Sequence, residues 1–159
     1  MISRRIFLGG IAASFLLVRF SGTAIARSPG VTVHKDPNCG CCGAWVDHLR
    51  AEGFEVSVTA TTQINRIKAK LGVPNALASC HTAEIDGFII EGHVPAGSIR
   101  KLLSLRPNIR GLAVPGMPVG SPGMEVEGSP PDTYDVIAFG PSGQSVFARY
   151  EGARELSAT

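Results

Sequence analysis

Three of the four cysteines in this chain stand within four residues, as Cys39-Gly40-Cys41-Cys42, and the fourth, Cys80, lies in Ser79-Cys80-His81-Thr82. Cys39 and Cys42 have C-x-x-C spacing. Where such a pair opens a helix, the free amide groups and the helix dipole favour thiolates and lower their pKa. Thiolates so placed serve two chemistries, disulfide exchange and metal ligation. Cys41 is surplus to a redox dithiol, and a third thiol nearby invites scrambling. On a regular helix Cys39 and Cys41 would point about 200° apart. Gly40 and Gly43 permit a loop-like start that lets the three sulfurs converge. The other soft or borderline donors are His81 beside Cys80, His93, and Met117 and Met124, the only methionines besides Met1.

Four thiolates suit Cu(I), Zn(II) or an iron–sulfur cluster. A structural all-thiolate zinc site usually shows two separated C-x-x-C pairs, and iron–sulfur clusters have spacings of their own. C-x-C-C with one distant cysteine matches neither, whereas crowded thiolates can bridge several Cu(I) ions. The expected metal site is therefore Cys39, Cys41, Cys42 and Cys80, with His93, His81, Met117 and Met124 as outer donors and copper, as several Cu(I) ions, as the metal. His34 reads as a plain strand residue, His48 as exposed or structural, and Trp45 as core.

The flanking sequence supplies the elements that would position these side chains. Residues 31–35 are β-branched and read as a strand. Asp36-Pro37-Asn38 is a turn, with Asn38 as the expected helix N-cap. The helix runs to about Ala51 with Cys42, Trp45, Val46 and Leu49 on its apolar face. Residues 54–58 alternate as a second strand. Thr61 or Thr62 would cap a second helix with Ile64, Ile67 and Leu71 inward, stopped by Gly72 and Pro74. Residues 83–92 read as a hairpin with its turn at Asp86-Gly87. A third helix opens at Pro95, turns Ile99, Leu102 and Leu103 inward, and ends at Pro107. Residues 111–131 carry too many Gly and Pro for a helix or a long strand. Residues 134–139 and 145–150 read as a final hairpin, and the tail from Glu151 as frayed. The fold class is α/β, with a thioredoxin-like β-α-β-α-β-β-α core, a C-terminal Gly/Pro/Met loop and a β-hairpin. In that core the first strand delivers the chain to the cysteine cluster.

At 159 residues and 44% hydrophobic composition the chain has room for one domain with a real core and is not disordered. Residues 1–26 stand apart. Ser3-Arg4-Arg5-Ile6-Phe7-Leu8 resembles a twin-arginine export signal, and an apolar run to Val18 follows that is too short for a membrane span. Ala24-Ile25-Ala26 forms a small-x-small cleavage site. An ordinary secretory signal with paired arginines and an uncleaved anchor are the alternatives. The expected mature domain is 27–159, in the periplasm. Without Arg4, Arg5 and Arg19 it keeps 12 basic residues against 13 acidic ones. That balance gives no reason to expect a nucleic-acid partner or a lipid-headgroup surface. Export also raises the possibility of two structural disulfides, but Cys41 and Cys42 are adjacent and cannot pair without strain.

The motifs Asp36-Pro37-x-Cys39-Gly40-Cys41-Cys42, Ser79-Cys80-His81-Thr82, Glu91-Gly92-His93-Val94-Pro95-Ala96 and the Gly/Pro/Met stretch from Gly111 to Met124 resemble those of a bacterial family first catalogued as a domain of unknown function, which includes the CopG-type periplasmic copper-resistance proteins. The likeness runs from about Val31 to Tyr150. It implies a thioredoxin-like fold, a thiolate-bridged multicopper site on Cys39, Cys41, Cys42 and Cys80, and a redox role in copper detoxification that would need another exported copper-handling or redox protein as partner. Two other readings compete: a thiol–disulfide oxidoreductase with Cys39 as nucleophile and Cys42 as resolving thiol, and a disulfide-stapled interaction module without metal.

Overall fold

The computed structural model describes residues 30–156. The expected export signal at 1–26 lies outside them. The described chain is mixed α/β: three helices on a single eight-stranded sheet. The elements are β1 (Gly30–Lys35), α1 (Gly40–Ala51), β2 (Glu55–Ala60), α2 (Ile64–Leu71), a single 3-10 turn (Asn75–Leu77), β3 (His81–Ile85), β4 (Phe88–Glu91), α3 (Ala96–Leu105), β5 (Gly111–Ala113), β6 (Thr133–Gly140), β7 (Gly143–Glu151) and β8 (Arg154–Leu156).

The strand order is β2-β1-β3-β4-β5-β6-β7-β8. β1 pairs parallel with β2, through the α1 crossover, and antiparallel with β3. β4 pairs parallel with β5 across α3. Val31 and Val33 alternate inward on β1 and meet Ile85 and Ala83 of β3, while α1 lays Trp45, Val46 and Leu49 over them. Ile99 and Leu102 of α3 and Leu112 of β5 complete this core. Each such aliphatic side chain, fully buried, contributes on the order of 1.5–3 kcal/mol. The β3–β4 turn takes positive φ at both Asp86 and Gly87, the geometry a two-residue hairpin demands.

Four local expectations are corrected. Asn38 does not cap α1. Its N–H turns back to the Asp36 carboxylate at 2.8 Å, and Cys39 takes the N-cap position. Neither Thr61 nor Thr62 caps α2. Gln63 stands there, its N–H on Thr61 Oγ1. The buried residue of α2 is Lys68, while Ile64, Ile67 and Leu71 are only half-buried. The tail is not frayed at Glu151, because Gly152 turns it back into β8 against β7. The Gly/Pro region, expected as loop, opens with one short strand, β5. β5 fits against β4 because Gly111 has no side chain: a Cβ there would lie 1.9 Å from the Ile89 carbonyl oxygen.

Candidate metal centre

Four chain segments meet at one end of the sheet. The first is the α1 N-terminus. Cys39 N–H donates to Asp36 C=O at 3.1 Å, closing the turn that leads out of β1. Cys39 itself is extended (φ −78°, ψ 101°), and helical geometry begins at Gly40. The sulfurs converge because Cys39 stands outside the helix, not because glycines loosen its first turn. Cys39 and Cys42 form a disulfide, and Cys39 Sγ lies 3.5 Å from Cys41 Sγ. Cys41 and Cys80 are free thiols, each half-buried.

The second segment is the approach to β3. Cys80 Sγ sits 3.9 Å from Cys41 Sγ, so Cys39, Cys41, Cys42 and Cys80 present sulfurs all within 4.8 Å of one another. Cys80 belongs to a second donor group as well. His81 Nδ1 is 3.3 Å from its sulfur and His93 Nε2 is 3.1 Å away. The third segment, after β4, brings in His93. Its Nδ1 is 2.8 Å from the Pro122 carbonyl oxygen. A carbonyl only accepts, so Nδ1 carries the proton and Nε2 turns its lone pair toward Cys80. This is how an outer partner orients a metal-binding imidazole.

The fourth segment is the Gly/Pro/Met loop. Met117 Sδ reaches Cys41 Sγ at 3.9 Å, with the methionine about half exposed. Met124 has no such contact, and its backbone closes turns on Ser121 and Gly120 instead. Gly123 seats the loop on α1. Its φ is +83°, and a Cβ would come 2.6 Å from Trp45 N. Trp45 is core as expected, with Nε1 donating to Val94 C=O at 3.0 Å and its ring 4.3 Å from that of His81. His34 contacts Glu84, and His48 accepts the Ala96 N–H, so both stand away from the cluster.

Burial sets the electrostatics. It pushes the Cys80 thiol up to about 11, with the neighbouring Cys41 adding to the rise. It holds His81 well below the usual imidazole range, with His93 and Lys68 adding to that, and lowers His93 against the pull of the Pro122 carbonyl. Both imidazoles are therefore neutral, the form that ligates. A metal ion would have to displace the Cys80 proton, so binding releases protons. The donors are thiol sulfur, thioether sulfur and imidazole nitrogen, the set that suits Cu(I) and excludes hard cations. In the disulfide form Cys39 and Cys42 are withheld from ligation. Two electrons and two protons return them as thiols beside Cys41 and Cys80.

Behind Cys80 lies a polar cluster that the sequence reading missed. Lys68 Nζ donates to Glu91 Oε1, with both side chains almost wholly buried. The same oxygen accepts Ser79 N–H at 2.6 Å, and Ser79 Oγ donates to Gly116 C=O at 2.6 Å. Burial raises the Glu91 pKa, opposed by Lys68 and the Ser79 N–H. The readable signal was positional: Lys68 falls within the apolar stripe of Ile64, Ile67 and Leu71, and Glu91 ends the apolar run Phe88-Ile89-Ile90.

Comparison with known proteins gives three results. A family described as "Protein of unknown function, DUF411" matches residues 77–124. No curated protein matches. Two solved structures of a copper resistance protein, copG, are similar. Form 2 is 48% identical with a TM-score of 0.73, and Form 1 is 49% identical with a TM-score of 0.72. Each alignment covers 77% of this chain and 98% of the other. Among the described residues, no helix is long and apolar enough to cross a membrane.

Proposed function

This chain belongs to the CopG-type copper-resistance family, and from that premise we propose that it is a periplasmic copper-binding protein that holds several Cu(I) ions on Cys39, Cys41, Cys42 and Cys80. One observation carries the reading: four cysteine sulfurs within 4.8 Å of one another, drawn from segments 38 residues apart in sequence. His93 and His81 complete the set on the Cys80 side and Met117 on the solvent side. Met124 serves the loop rather than the metal. The domain is thioredoxin-like, with β1, α1 and β2 as its crossover and β3, β4 and α3 as its second half. The leader, residues 1–26, directs export by the twin-arginine route, and 27–159 is the mature protein. Copper is cargo here. Interconversion of its oxidation states would use the same sulfurs with an exported electron partner.

The test loads the reduced 27–159 chain with Cu(I) without oxygen, then measures copper per chain and free thiols. More than one copper, with all four thiols blocked, is expected for the parent. Cys41→Ser and Cys80→Ser should each lower the copper content while the circular dichroism spectrum is retained. Unchanged copper in both variants would defeat the proposal. A second reading, thiol–disulfide exchange, is favoured by one observation, the Cys39–Cys42 disulfide at a helix N-terminus. It predicts disulfide exchange without metal that survives Cys80→Ser.

A further inference from the structure

We propose that the buried Lys68–Glu91 pair is a positioning device for this centre, holding Cys80 and Met117 at the distances at which their sulfurs meet Cys41. The proposal rests on the copper reading only for its affinity measurement.

A wholly buried ion pair needs a reason. Taking two charges out of water is costly, and their attraction rarely stabilises a fold more than a packed apolar pair would. Lys68 and Glu91 are 4% and 0% exposed. They lie on α2 and the end of β4, neither of which carries a cysteine. What Glu91 does is local and directed. Oε1 accepts the N–H of Ser79, the residue before Cys80. Its backbone C=O accepts Val114 N–H at 3.0 Å, where the chain leaves β5 for the methionine loop. Ser79 Oγ then ties to Gly116 C=O, the residue before Met117. One glutamate thus fixes the neighbours of two sulfur donors on separate segments. Lys68 neutralises that carboxylate where water does not reach.

Gly92 makes the junction tight. Its φ is +70°, and a Cβ there would lie 2.7 Å from Ser79 Cβ and 2.5 Å from Val114 O. The β3 approach, the β4 end and the β5 exit therefore touch at backbone distance. At such a junction one directed hydrogen bond sets where the following side chain points. Glu91 makes that bond through its charged oxygen, the stronger kind.

The experiment compares two double variants of the reduced 27–159 chain. K68M/E91L removes both charges and the acceptor for Ser79 N–H. K68M/E91Q removes both charges but keeps a carbonyl oxygen to accept it. Cys80 alkylation by iodoacetamide in the metal-free chain, read by mass spectrometry, reports its placement. Chelator competition reports Cu(I) affinity, and thermal melts report the fold. In K68M/E91L, Cys80 alkylation should speed up and Cu(I) affinity fall, each about tenfold, as expected for one lost charge-assisted hydrogen bond. K68M/E91Q should return both toward the parent, a rescue that merely filling the core would not produce. Parent-like alkylation and affinity in K68M/E91L, or no rescue by glutamine, would overturn the proposal. Ser79→Ala leaves the buried pair intact and removes the hydroxyl that ties to Gly116 and also touches Cys80 Sγ at 4.0 Å. It should weaken Cu(I) binding severalfold at an unchanged melting temperature, and parent-like binding there overturns the proposal even if K68M/E91L does not fold. A parent chain that binds no Cu(I) refutes the copper reading alone, and the alkylation rates still decide this one.

Discussion

Cys80 is the one side chain shared by both candidate donor groups, and its surroundings explain why its thiol stays protonated. Burial and the nearby Cys41 raise its pKa, while His93 offers an unprotonated nitrogen 3.1 Å away. The resting thiol can thus donate to imidazole, and under the proposed function the same two atoms would hold the soft ion. His93 is fixed for this by Pro122. His93→Phe keeps the ring packing against His81 but removes both nitrogens. It should lower Cu(I) affinity by at least about tenfold, the lower end of the scale for losing even an outer-shell partner of a metal ligand. It should also cost about 1–3 kcal/mol of stability, because the Pro122 carbonyl loses its donor. Chelator competition and chemical denaturation measure the two effects. Parent-like affinity would remove His93 from the donor set and leave it a structural link between β4 and the loop.

At the scale of elements, α1 does two jobs with one helix. Its first turn carries the cysteines, and farther along His48 Nε2 accepts the N–H of Ala96, the first residue of α3. Burial lowers the His48 pKa, with Glu52 and Glu125 opposing. In the fold His48 is a neutral acceptor, whereas in the unfolded chain it takes up a proton near pH 6.5. The unfolded state then binds more protons, so stability rises with pH through this window. The contribution is complete above about pH 6.5 and is lost as pH falls toward the folded value. Buried His81, also lowered, acts with the same sign. The metal-free chain should therefore melt at lower temperature at about pH 5.5 than at about pH 7.5. His48→Gln keeps an acceptor without the titration and should flatten that slope in part; a slope identical to the parent's would show that His48 does not contribute. Much of this level was readable. The helices and the Asp86-Gly87 hairpin follow from period and turn chemistry. β5 did not, because a three-residue strand that begins with glycine carries no alternation and owes its strand form to the partner β4.

Across the whole molecule, residues 39–42, 80–81, 93 and 117 come to one end of a single sheet. The donor types were legible because cysteine, histidine and methionine announce their chemistry. Their distances were not, since these depend on contacts such as Gly123 on the Trp45 backbone and Glu91 under Ser79, which local pattern does not encode. The oxidation state of Cys39 and Cys42 was equally hidden, and it governs how many donors the molecule offers. As a disulfide it leaves Cys41 and Cys80 as the free thiols, with Met117 and His93 beside them. Reduced, it offers four thiols in the same space. The reduced chain should then retain more Cu(I) than the disulfide form, measured after desalting without oxygen. It should also gain more stability from the metal. At free Cu(I) about a hundredfold above Kd, one site contributes about 2.7 kcal/mol, roughly 10 °C in a domain of this size. The disulfide form should melt with a smaller shift. Equal copper content and equal shifts in the two states would mean that Cys39 and Cys42 do not ligate, which would leave their disulfide as a structural or exchange-active bond and Cys80 with Cys41 as the metal's only thiols.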